Sequence, residues 1–109
     1  MSENRDSCDM RRVERDWKSW DRETRPQVGD FQITPNGDHF DLVMMLPGEN
    51  LCRISVSTGA KRDGAWQWDG NEDRPTLSPS VDLGAVSPRD GQRISIWHGW
   101  IRAGRMESC

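Results

Sequence analysis

Between Gly64 and Gly104 the chain concentrates four of its six tryptophans, three of its six prolines and one of its two histidines. The segment runs through Trp66-Gln67-Trp68-Asp69-Gly70 and Arg74-Pro75-Thr76-Leu77-Ser78-Pro79-Ser80 to Trp97-His98-Gly99-Trp100-Ile101-Arg102-Ala103-Gly104. Tryptophan brings a large apolar surface and one N–H that wants a partner. Several of them among turn-forming residues describe a compact aromatic cluster stapling short strands together. Pro75 and Pro79 confine Thr76–Leu83 to an edge or irregular strand, because proline donates nothing to a ladder.

The cluster matters because the rest of the chain offers little to bury. Only 33% of its 109 residues are apolar and 30% are charged, against about 45–50% apolar, glycine included, in ordinary globular chains. A small core is the expectation. Net charge is −3 and no basic stripe is visible, which disfavours nucleic acid as a partner. No apolar run has the length of a membrane span and no signal peptide follows Met1, so a cytoplasmic location is expected. Cys8, Cys52 and Cys109 are scattered and odd in number, which reads as free thiols, not an oxidised framework.

Residues 1–28 form a charged N-terminal segment and residues 29–109 a tryptophan-rich β domain. Met10, Val13, Trp17 and Trp20 recur at spacings of three, four and three, which predicts an amphipathic helix over Ser7–Arg22, capped by Asp6 or Ser7 and stopped by Pro26. Its narrow apolar stripe would dock on its own domain, on a partner protein or on a second copy in a homodimer. From Gly29 the period changes to two. Strands are predicted at Asp30–Thr34, His39–Leu46, Leu51–Ser57, Ala65–Asp69, Arg93–Trp97 and Gly99–Ala103, with turns at Pro35-Asn36-Gly37-Asp38 and Pro47-Gly48-Glu49-Asn50. The continuously apolar Leu42–Leu46 suits a strand covered on both faces. The fold class expected is mainly β within α+β: a small antiparallel sheet, roll or partly open barrel with one N-terminal helix.

Candidate site residues divide by chemistry. Trp66, Trp68, Arg74, Trp97, His98, Trp100 and Arg102 would make a stacking pocket for a base or nucleotide if the rings lined a cleft instead of a core. His98 suits a ligand or general base, because an unperturbed histidine side chain changes charge near neutrality; its bland reading is a ring nitrogen bonded to a buried carbonyl. Asp69, Asp73 and Arg74 read as a turn with an ion pair. Ser78 and Ser80 lack the glycine-flanked turn of a nucleophile elbow and read as hydroxyls bonded to backbone. The remaining Cys, His and acidic residues lack paired metal-ligand spacing, so no metal and no cofactor is expected.

The tryptophan, proline–serine and Trp97-His98-Gly99-x-Ile101-x-x-Gly104 motifs together resemble a family of small phage and prophage proteins of unknown function, often mislabelled "ammonia monooxygenase". The resemblance covers Phe40 to the C-terminus. Relatives carry a Cys-Pro-x-Cys-like turn and a Cys-His pair; here these read Leu46-Pro47-Gly48-Glu49 and Trp97-His98. The resemblance implies a fold type and a viral origin. The function expected is a small accessory protein that binds a host protein, for example as an inhibitor of a bacterial defence system such as CRISPR, and is not an enzyme. The alternatives are a nucleotide-sequestering protein and a metal-dependent enzyme whose site has drifted.

Overall fold

A computed structural model describes residues 7–59, 64–86 and 88–108, and these form ten strands and no helix. They are β1 (Ser7–Asp9), β2 (Arg11–Arg12), β3 (Asp30–Asn36), β4 (His39–Leu46), β5 (Asn50–Ser57), β6 (Trp66–Trp68), β7 (Leu77–Ser78), β8 (Val81–Val86), β9 (Arg93–Arg102) and β10 (Arg105–Ser108). One sheet has the order β1-β10-β9-β8 and the other β2-β3-β4-β5-β6-β7. The chain crosses between them twice, at Met10 from β1 to β2 and at Pro79-Ser80 from β7 to β8. The sheets therefore share both seams, and their inner faces enclose one core.

That core follows from alternation. Leu42, Met44 and Leu46 of β4 point inward with Phe31, Ile54, Val56, Trp68 and Leu77, and meet Val81, Trp97, Ile101 and Met106 of the other sheet. Phe40 and Trp68 pack edge to face with centroids 5.1 Å apart, a favoured aromatic geometry. Val43 and Met45, on the other face of β4, are buried as well. The hairpin β3–β4 turns through Gly37 and Asp38, and β4–β5 through Pro47, Gly48 and Glu49. Arg93–Arg102 is one ten-residue strand where two were predicted, and β10 was not predicted at all. The turn that makes β10 uses Ala103 (φ 49°) and Gly104 (φ 75°), a left-handed pair that suits a two-residue hairpin.

The predicted N-terminal helix does not form, which corrects the α+β expectation to an all-β fold. Met10 enters the shared core and its N–H donates to the Gly104 carbonyl at 2.8 Å. Val13 donates to the Phe31 carbonyl at 2.9 Å. Trp17 is buried and its indole N–H meets Gln32 Oε1 at 2.8 Å; Trp20 stays exposed, with the Arg15 guanidinium 5.8 Å from its ring. The same four apolar residues serve an extended segment because β3 and β10 each need a neighbour. Ladder bonds satisfy those open edges, whereas intrahelical bonds would leave both unpaired. Further along, the Asp21 carboxylate accepts the N–H groups of Thr24 and Glu23, a local turn that competes with helix. Those bonds, Thr24's first, hold the Asp21 carboxyl below its ordinary pKa. With no helix there, the proposed helical surface for a partner or a homodimer is absent. Among the described residues, no helix is long and apolar enough to cross a membrane.

Candidate functional site

The second crossing builds the site. β7 pairs with β6 through Gln67↔Ser78 and Trp68↔Leu77, and β8 pairs with β9 through Val81↔Gly99 and Asp82↔His98. Between the two ladders, Pro79 and Ser80 belong to neither. The chain leaves β6 there, and the split opens a cleft of about 420 Å³ lined by Gly64, Ala65, Trp66, Pro79, Ser80 and Asp82. The Trp66 indole N–H donates to the Ser80 carbonyl at 3.2 Å, which fixes the serine's backbone against the indole wall.

Strand alternation sorts the Trp97-His98-Gly99-Trp100 run by face. Trp97, Gly99 and Ile101 point into the core; His98 and Arg102 are exposed and Trp100 is half-buried on the other face. Gly99 has no alternative: a Cβ there would lie 2.4 Å from the Trp97 ring, which folds across it to donate to Ser108 Oγ at 2.8 Å. Anchored on both sides, His98 presents its imidazole outward to Ser80, whose Oγ lies 3.3 Å from His98 Nε2. Such a separation is common in free enzymes before substrate tightens the contact. Asp82 stands directly opposite His98 across the ladder, where facing side chains start about 4.5–5.5 Å apart.

A hydroxyl beside an imidazole at a cleft has the arrangement that a nucleophile and its base require. The other histidine, His39, instead faces carboxylates, with Nδ1 3.2 Å from Asp38 and Nε2 3.5 Å from Asp41. Burial pushes the Cys52 thiol up to about 12, which makes it a poor nucleophile. Cys109 lies outside the described residues. Among the described residues no group of three or more His, Cys, Asp or Glu side chains is placed to hold a metal ion.

Of the seven residues in the predicted stacking pocket, Trp66 and His98 converge, and they do so on Ser80. Trp68 and Trp97 are core residues. Trp100 and Arg102 stack on one another at 4.2 Å, further along the outer face of β9. Arg74 lies under the β9–β10 turn, its Cα 2.9 Å from where a Cβ on Gly104 would sit. Asp69 does start a turn, accepting from Asn71 and Thr76, but Arg12, not Arg74, bonds Asp73 and Glu72. Ser80 was read as bonding backbone; its hydroxyl meets the histidine instead. Asp82 was not singled out. The signal for both was modest: Ser80 and Asp82 at strand spacing, followed by an outward-facing histidine on the next strand.

No curated protein and no solved structure matches the chain significantly. Residues 17–109 match the family model BubE, described as bacterial ubiquitination-like system serine protease. The match overturns the expectation of a phage-encoded anti-defence protein that only binds a host factor, and with it the expectation that the chain is not an enzyme. Its span takes in β3 to β10, the cleft, Ser80 and His98, and the chain belongs to the BubE family of bacterial ubiquitination-like system serine proteases.

Proposed function

We propose that the chain is a serine protease in which Ser80 is the nucleophile and His98 its general base, acting on an amide bond within a bacterial ubiquitination-like system. The observation that carries this reading is the Ser80–His98 contact at the mouth of an open cleft. Ser80 Oγ attacks the amide carbonyl while His98 Nε2 takes the hydroxyl proton. The tetrahedral intermediate then breaks its C–N bond, and the imidazolium returns that proton to the leaving amine. Water, its proton taken by His98, hydrolyses the acyl-serine, and Oγ recovers its proton as the acid leaves.

A free thiol at Cys52 suits a reducing compartment, and the bacterial cytoplasm is the location proposed. The test is p-nitrophenyl acetate, whose acyl transfer to a serine releases a chromophore. Wild-type protein should give a burst near one equivalent per chain, a mark of an accumulating acyl-enzyme. Ser80→Ala and His98→Gln should give none. A burst that survives Ser80→Ala would remove the assignment.

A further inference from the structure

Resting on the assignment of Ser80, we infer that the substrate enters as an extended peptide added along the outer edge of β8, with small or apolar residues beside the scissile bond. Three observations converge on this. β8 ends the order of its sheet, and its ladder among the described residues is with β9. A terminal strand presents a row of backbone donors and acceptors, and an incoming peptide can satisfy them as one further strand. Second, the cleft opens on that same edge, between the lead-in to β6 at Gly64-Ala65-Trp66 and the start of β8. Ser80 stands at the β7–β8 seam, so a peptide laid along β8 brings one carbonyl past its hydroxyl. A folded surface would not reach into the gap.

Third, the walls select the side chains. Gly64 and Ala65 contribute almost no bulk and Trp66 an apolar ring. At the far end of the same ladder Val86, Ile94 and Ile96 are exposed at 68%, 55% and 39%, offering apolar contact to the peptide's outlying residues. The substrate class is therefore a flexible chain segment of about five residues, at the roughly 3.3 Å per residue that a strand the length of β8 can pair, with small or apolar side chains beside the scissile bond.

Phosphonates test this without a known substrate. Diisopropyl fluorophosphate needs the nucleophile alone; diphenyl phosphonates capped with one to four alanine or leucine residues need the edge as well. The intact protein should react with the four-residue probe about tenfold faster or more than with the one-residue probe. N-methylating one alternate set of the probe's amides should remove about tenfold of that gain, the loss expected for roughly one buried hydrogen bond, while methylating the other set costs little. Ser80 labelled by the small probe, with peptidyl rates flat in length and indifferent to N-methylation, would overturn the edge-binding inference alone. A small probe that leaves Ser80 unlabelled would overturn the nucleophile assignment and this inference with it.

Discussion

The two places where the chain passes from one sheet to the other use the same device for opposite ends. At the first, Met10 drops its side chain into the core, its N–H is taken by the Gly104 carbonyl, and Arg11 is held by the Gly29 carbonyl at 2.8 Å. The Arg11 guanidinium also grips the buried Asp30 carboxylate through two bonds of 3.1 and 3.2 Å. At the second, Pro79 is exposed, Ser80 is half-buried, and the backbone is caught by a single indole N–H. A seam filled by a side chain is structural, while one propped open by a tryptophan and flanked by a histidine is a site. Closed corners hold the sheets together; the open one is where chemistry finds room.

Breaking the open seam should abolish activity and spare the fold. Ser80→Ala should lower kcat/KM on any cleaved peptide by about 10⁴-fold or more, the scale of losing a serine nucleophile, with its melting temperature within a few degrees of wild type. Breaking the closed seam should do the reverse. Gly29 has φ 98°, and a Cβ there would stand 2.5 Å from the Asp9 carbonyl oxygen. Gly29→Ala should therefore cost about 2–3 kcal/mol and lower Tm by roughly 10 °C or more, while folded molecules keep their kcat. Calorimetry beside a peptidase assay separates the two outcomes.

Smaller changes sharpen the contrast. Trp66→Phe keeps an apolar wall but removes the N–H that holds the Ser80 carbonyl. A loss of about 1 kcal/mol should appear as a several-fold drop in kcat/KM with little change in Tm. Least of all should happen on treating the native protein with iodoacetamide near pH 7. The Cys52 thiol, pushed up to about 12 by burial, stays protonated there and is a poor nucleophile, so hydrolysis should continue unchanged. Because the raised pKa disfavours the thiolate only in the folded state, Cys52 reactivity should rise above the ordinary thiol range, toward pH 12, or on unfolding.

Much of the β framework was legible because it obeys local rules. Leu42–Leu46 reads as a doubly covered strand and is one; the turn expected at Pro35-Asn36-Gly37-Asp38 is tighter, with Pro35 and Asn36 still in β3, and the irregular strand expected over Thr76–Leu83 becomes β7 and a β8 that runs on to Val86. The N-terminus was misread because Met10, Val13, Trp17 and Trp20 have helical spacing, and that period carries no information about the open edges of β3 and β10 that an extended chain satisfies. Tertiary demand overrode a narrow periodic signal. The site was hidden for a related reason. Ser80 and His98 are far apart in sequence, no glycine elbow announces the serine, and their meeting depends on the Asp82↔His98 register, upstream of the shift between Leu83 and Gly84. The motif Trp97-His98-Gly99 was visible as a motif, but which face each residue takes was settled only by Gly99 making way for the Trp97 ring.

The most direct test of the central claim, that the open corner holds the nucleophile and its base, is peptide mass mapping after reaction with a fluorophosphonate. A single adduct on the peptide containing Ser80, absent in Ser80→Ala and formed at least about a hundredfold more slowly in His98→Ala, is the predicted result. An adduct on a different serine, or labelling of Ser80 at an undiminished rate without His98, would contradict it.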